Sequence, residues 1–199
     1  MTFLFEFMGL AVTAIFLENV IFSRALGTSR MLALLKSEKN LFTFGAVLTV
    51  MTTLASLPIH YLNRLLENLA VQTRIWMRPF LFVVAVTLLY ILVYLGCTHL
   101  LPGLFAKIGK LLTFATFNCA LLGSVFLTAD QNFNLAKTLG FGFGSGVGFT
   151  VATFLVFEGK RRLMLSDVPK SFRGFPITLL YLGLVALAMY GLVGHQLPF

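Results

Sequence analysis

The sequence predicts an all-α integral membrane protein. It reads as a single membrane domain over residues 1–199, with six transmembrane helices forming two inverted three-helix repeats and half-membrane segments in helices 1 and 4. Three observations predict this. Hydrophobic residues make up 58% of the chain and charged residues 11%, with a mean hydropathy of +0.93, far from the composition of a soluble domain. Apolar runs of about 20 residues, the length that carries a helix across a hydrocarbon core about 30 Å thick, occur six times. Features of the first three runs return, weakly and in the same order, in the last three.

The first run, 3–24, begins without the basic segment that opens a cleaved leader, so it is expected to remain as a membrane helix. Its middle, Leu17-Glu18-Asn19-Val20-Ile21-Phe22, sets two polar residues where lipid offers them no water. Such groups are expected to face protein or a cavity. The second run, 40–61, opens near Leu41-Phe42-Thr43-Phe44-Gly45, and the third, 78–101, near Met77-Arg78-Pro79-Phe80; these complete repeat 1, about 1–101. Repeat 2, about 102–199, starts with run 108–129, whose middle is Phe117-Asn118-Cys119-Ala120-Leu121-Leu122, again two polar residues in an apolar setting. Run 135–158 carries Gly140-Phe141-Gly142-Phe143-Gly144, resembling the opening of the second run, and run 175–194 follows Phe172-Arg173-Gly174-Phe175, resembling the opening of the third. Two similar halves with an odd number of spans must insert in opposite directions, and an interrupted span in each half points to a functional site at the membrane midplane.

The net charge is +8, but its basic residues sit in short loops between apolar runs, with no basic stripe interleaved with aromatics of the kind a nucleic-acid groove requires. Alternate loops hold eleven Lys and Arg against four, which places loops one, three and five in the cytoplasm and both termini outside.

In the fifth run Gly140, Gly144 and Gly148 share one helix face while Gly142 and Gly146 share a nearly opposite one. Small faces let helices approach closely, so both are expected to serve packing within the bundle, with a partner contact as the other reading. Their spacing is not that of a dinucleotide fingerprint. Cys97 and Cys119 form no disulfide framework and no metal quartet. Cys119, beside Asn118 in an interrupted span, reads either as a metal or iron–sulfur ligand or as a small packed hydrophobe. Glu18 is the one carboxylate deep within a span. It reads either as part of an ion or proton route or as a group paired inside the bundle, with Asn19, Asn118 or an Arg from a loop as the partner. His60, His99 and His195 stand near span ends and are expected to rest their polar tips in the headgroup region. Lys160, Arg161 and Arg162 read as topology determinants, and Ser166-Asp167-Val168-Pro169 as a turn.

Three stretches carry a family resemblance: Thr116-Phe117-Asn118-Cys119-Ala120-Leu121-Leu122-Gly123, Ser166-Asp167-Val168-Pro169-Lys170-Ser171-Phe172-Arg173-Gly174, and Arg24-Ala25-Leu26-Gly27. They resemble the paired membrane subunits of the Rnf and Nqr electron-transport complexes, most closely the A subunit of Rnf, and the likeness covers the whole chain. The resemblance implies a bacterial cytoplasmic membrane, two inverted repeats, and a homologous partner subunit inserted the opposite way up. It further implies a [2Fe–2S] cluster shared on the pseudo-twofold axis, with each subunit supplying two cysteines. Electrons would pass between a cytoplasmic carrier and flavins on the other face, coupled to movement of Na+ or H+. Cys119 matches one family ligand. Ser29, within Leu26-Gly27-Thr28-Ser29-Arg30, stands where the second cysteine is expected, Arg30 stands where the family tends to have proline, and Glu18 replaces the first of two asparagines. Two functions follow: an electron-transfer subunit with an altered cluster, or a diverged, cluster-less scaffold or ion-pathway subunit. In either, the chain has no complete active site of its own. A lone secondary transporter is a third reading.

Overall fold

Among the residues described by this computed structural model, 2–35, 38–68, 70–100 and 102–193, every regular element is helical. That is what the composition demands, because a helix satisfies its backbone donors and acceptors within one segment and needs no water to do so. The helices are α1 (Thr2–Phe16), α2 (Thr28–Leu34), α3 (Glu38–Leu66), α4 (Val71–Leu100), α5 (Pro102–Thr116), α6 (Cys119–Asp130), α7 (Leu135–Met164) and α8 (Phe175–Val193), with a single 3-10 turn at Lys170–Phe172.

Three of them, over Asn40–Leu66, Val71–Leu100 and Leu135–Met164, are long and apolar enough to cross a membrane. The pair Phe105–Thr116 and Cys119–Asp130, bent by 51°, makes a fourth if counted as one span, while Thr2–Phe16 and Phe175–Gly191 are apolar but shorter. The expected run 3–24 therefore does not continue as one helix. It stops at Phe16, and at 15 residues α1 reaches only about 22 Å, less than the hydrocarbon thickness. The expected run 108–129 is likewise interrupted, at Phe117 and Asn118. Run 78–101 begins earlier, at Val71, with Pro79 inside the helix.

The bundle is built around α7, which packs most closely on α3 and α1. Its glycines explain why. A side chain added at Gly140, Gly144 or Gly148 would run into the α1 backbone at Phe7, Ala11 and Ala14, and one added at Gly142 or Gly146 would meet Ser56 and Thr49 of α3. Both glycine faces thus serve packing inside the bundle, where close backbone approach supplies van der Waals attraction that lipid cannot. α5 and α6 cover α3, α4 covers α5 and α3, and α8 covers α7.

Polar contacts tie the ends together. Glu6 accepts from Asn134 Nδ2 at 2.7 Å, and Arg78 pairs with Asp130 at 2.7 Å. The start of α1, the start of α4 and the α6–α7 turn therefore share one end of the bundle. At the other end Lys160, Gly174 and Thr178 line a cavity with Leu32 and Leu35, in and just after α2.

Candidate functional site: the two helix breaks

Both interruptions are built on an asparagine that redirects the backbone. At the end of α1 the N–H groups of Leu17 and Glu18 both reach Thr13 O at 2.8 Å, and the chain then turns. Asn19 organises that turn. Its Nδ2 donates to Ile15 O at 2.8 Å and to Gly148 O of α7 at 2.9 Å, and its Oδ1 accepts from the N–H of Ile21 at 3.0 Å and of Phe22 at 3.4 Å. One side chain thereby caps a carbonyl left free at the end of α1, pins the break to α7 and nucleates the next turn. Asn19 is 1% exposed, and Val20, Ile21 and Phe22 after it are buried. Asn118 does the equivalent work before α6 as its N-cap, its Oδ1 accepting from Ala120 N at 3.2 Å. Its Nδ2 is buried with no partner among the described residues.

The two breaks touch. Gly27, at φ 77°, precedes α2, and a Cβ there would lie 2.9 Å from Asn118 Oδ1 and 2.9 Å from the Phe149 ring. Only glycine satisfies both the left-handed backbone and that approach. Leu26 lies against Gly123 of α6. The interrupted segments therefore meet each other and the middle of α7, at Gly148 and Phe149.

Cys119 is the first residue of α6 and is exposed. Ser29, two residues beyond Gly27, is exposed at the start of α2. Phe114 and Phe117, just before Cys119, are exposed, and Arg30, next to Ser29, lies over the Phe114 ring at 4.1 Å. Glu18 is half-buried. It lines a cavity of about 230 Å³ with Arg24, Ser23 and the α8 residues Ala186 and Met189. Its neighbour Asn19 is fully engaged elsewhere, so the Asn19 amide does not serve it. No group of three or more His, Cys, Asp or Glu converges among the described residues. Cys97 is half-buried in the last turns of α4.

His60 is held inside the bundle by its neighbours. It is buried at 7% exposure, its Nδ1 3.4 Å from Thr138 Oγ1 of α7, beside a cavity near the end of α3. His99 stands in the last turn of α4, and His195 lies outside the described residues. Sequence reasoning misses Asn63, three residues after His60, although a second polar residue on one face of an apolar helix was the available signal.

Residues 7–195 match the family model described as Rnf-Nqr subunit, membrane protein. The chain is 32% identical over 187 residues to the A subunit of the Na+-translocating ferredoxin:NAD+ oxidoreductase complex of Acetobacterium woodii, covering 94% of this chain and 96% of that one. It is 30% identical over 200 residues to the E subunit of the Na+-translocating NADH-quinone reductase of Proteus mirabilis, covering 96% of this chain and 99% of that one.

Proposed function

The chain belongs to the Rnf-Nqr family of membrane subunits, and on that premise we propose that it is one membrane subunit of an ion-translocating electron-transport complex, paired with a homologous subunit of inverted topology. The internal packing supports two inverted repeats of three spans each. Exchanging α1 with the α5–α6 pair, α3 with α7, and α4 with α8 carries the α1–α7 contact onto α3 with α5 and α6, and the α3–α4 contact onto α7–α8. An odd span count per half then turns one repeat over relative to the other, with the two breaks meeting between them.

The exposed face at the breaks is where the partner would sit and where a [2Fe–2S] centre shared with it would be held. Such a centre takes four ligands. The chain's own donors there are the Cys119 thiol and, near the same contact, the Ser29 hydroxyl. Cys119 fits as a thiolate ligand, Ser29 stands at the second ligand position as a poorer donor, and the remaining ligands fall to the partner. When bound, the centre supplies one-electron transfer within the membrane. The chain's contribution is positioning: Asn118 sets the first turn of α6 and so the course of Cys119, while Gly27 lets the two breaks close on each other. The exposed phenylalanines offer an apolar surface that excludes water once covered.

The observation that carries this reading is the exposed Cys119 at the point where the two breaks meet, in a chain of this family. Purification of the tagged chain from native membranes tests it. An opposite-orientation homologue and redox-cofactor subunits are expected to co-elute. A chain that elutes alone, active in ion flux without redox substrate, overturns the reading.

Ser29 favours a second reading, a cluster-less scaffold or ion-pathway subunit in which Glu18, beside Arg24 in the cavity against α8, serves Na+ or H+ movement. The half-buried carboxylate facing a cavity supports it, since a carboxylate at membrane depth is costly unless paired or wetted.

A further inference from the structure

The loop between α7 and α8 borders a cavity of about 600 Å³, within the range of about 300–1,000 Å³ that small-ligand sites occupy. Two cations line it, Lys160 near the end of α7 and Arg173 just before α8. Lys160 is half-buried and pairs with no carboxylate among the described residues, whereas Arg161 beside it reaches Glu158 at 3.8 Å. Arg173 commits its Nε to Val168 O at 2.9 Å, which holds it across the loop and leaves its two terminal nitrogens without a partner among the described residues. Carbonyls at the end of α7 are already engaged: Arg162 O accepts from the Leu165 N–H and Ser166 Oγ, and Leu163 O accepts from the Ser166 N–H. Gly174 and Ile177 bring the amino end of α8, with its partial positive charge, to the same space. Asp167 is the one carboxylate in the lining and is exposed, so two cations face one anion. A second space of about 170 Å³ shares Lys160, Gly174 and Thr178 with the first and is otherwise walled by Leu32, Leu35 and Phe175. A basic lining and an apolar slot thus meet at one lysine. The orientation of the chain in the membrane accounts for cations in this loop, but fully exposed ones serve that purpose equally well, and it does not call for a lysine half-buried between two cavities.

We propose that this loop binds the headgroup of an anionic phospholipid, with Lys160 and Arg173 on the phosphodiester and the first acyl carbons against Leu32, Leu35 and Phe175. The lining's net single positive charge matches one phosphodiester. Basic pockets between membrane helices receive anionic headgroups, and a lysine stem can lie along apolar surface while its ammonium meets the phosphate. An acidic protein surface also complements two cations, but it leaves the apolar slot unfilled. Met164, Leu165 and Phe172, exposed around the loop, suit the boundary between headgroups and acyl chains. The site lies at the end of the bundle opposite the α6–α7 turn and does not depend on an iron–sulfur centre at the helix breaks.

Native mass spectrometry of the detergent-purified complex, delipidated and titrated with phosphatidylglycerol or with zwitterionic phosphatidylcholine, tests the site. One phosphatidylglycerol per chain, not replaced by phosphatidylcholine, is expected to bind the parent about tenfold or more tightly than Lys160→Gln, the scale of one charge-assisted hydrogen bond. Lys160→Arg is expected to restore it. Arg162→Gln removes an exposed cation outside the cavity and is expected to change binding about twofold or less at about 0.15 M salt, where charges more than about 8 Å apart are screened. Equal losses in Lys160→Gln and Arg162→Gln overturn the proposal, because they report diffuse surface charge. So does a Lys160→Gln isotherm that matches the parent's, or a Lys160→Arg variant that binds no better than Lys160→Gln. Displacement of the lipid by inorganic phosphate in excess assigns the cavity to a free anion, and loss of a soluble subunit from Lys160→Gln with the lipid count unchanged assigns it to a protein; either overturns the lipid as occupant. Lipid counts need no electron flow, so they are read equally well in a complex without redox activity.

Discussion

Replacing Asn19 by alanine is expected to loosen the first break far more than the matching change at the second. Asn19 makes three hydrogen bonds of 3.0 Å or less and a fourth at 3.4 Å, one of them to Gly148 O across the bundle. Alanine leaves those backbone groups buried and unpaired. Polar contacts within membrane bundles average about 0.6 kcal/mol and reach about 1.7, so three good bonds predict a loss of roughly 2–5 kcal/mol. Asn118→Ala removes one bond, to Ala120 N, together with an Nδ2 that has no partner. The orphan's removal offsets part of the loss, and the expected cost is about 1 kcal/mol or less. Reversible unfolding in mixed detergent and sodium dodecyl sulfate micelles, followed by circular dichroism, measures both. Equal stability of the two variants would refute the assignment of Asn19 as the pin between α1 and α7.

Glu18→Gln is expected to abolish coupled Na+ or H+ uptake in membrane vesicles while the complex assembles normally; unchanged uptake removes Glu18 from the ion route. Ser29→Cys, at an exposed position, is expected to raise the iron bound per complex after anaerobic purification, and iron content equal to the parent's counts against Ser29 as a ligand position. Gly144→Leu is expected to cost about 3 kcal/mol or more by overpacking, since even a Cβ would lie 2.8 Å from Ala11 Cα and Ala14 Cβ, while Gly96→Leu, with nothing within 4 Å, is expected to leave detergent stability unchanged. Comparable yields of folded protein from those two would refute the packing role given to the α7 glycines.

Much of this was legible in the sequence because lipid penalises polar groups so heavily. Glu18-Asn19 and Asn118-Cys119 stood out against apolar surroundings, and the helices break next to both pairs. The alternation of glycines in run 135–158 marked the two faces that α1 and α3 occupy. Length and hydropathy do not say where a helix stops, however. Val20, Ile21 and Phe22 are apolar enough to continue α1, and the Asn19 amide, bonding across 129 positions to Gly148, turns the chain away. His60 was read from its nearness to a span end, and its burial against Thr138 of α7 is a tertiary contact that position along the chain does not reveal. Asn63 escaped notice because its significance comes from Asn132, a residue 69 positions away that meets it only in the folded bundle. The contact of Gly27 with Asn118 is equally tertiary; the sequence offered Leu26-Gly27 only as part of a family likeness.

The most direct measurement is electron paramagnetic resonance of the dithionite-reduced complex, purified anaerobically with its partner subunits, comparing the parent chain with Cys119→Ala. The account predicts a [2Fe–2S] signal in the parent that is lost or strongly altered in the variant while the subunits still co-purify. An identical signal in both, or none in the parent, would contradict the placement of an iron–sulfur centre at the meeting point of the two breaks.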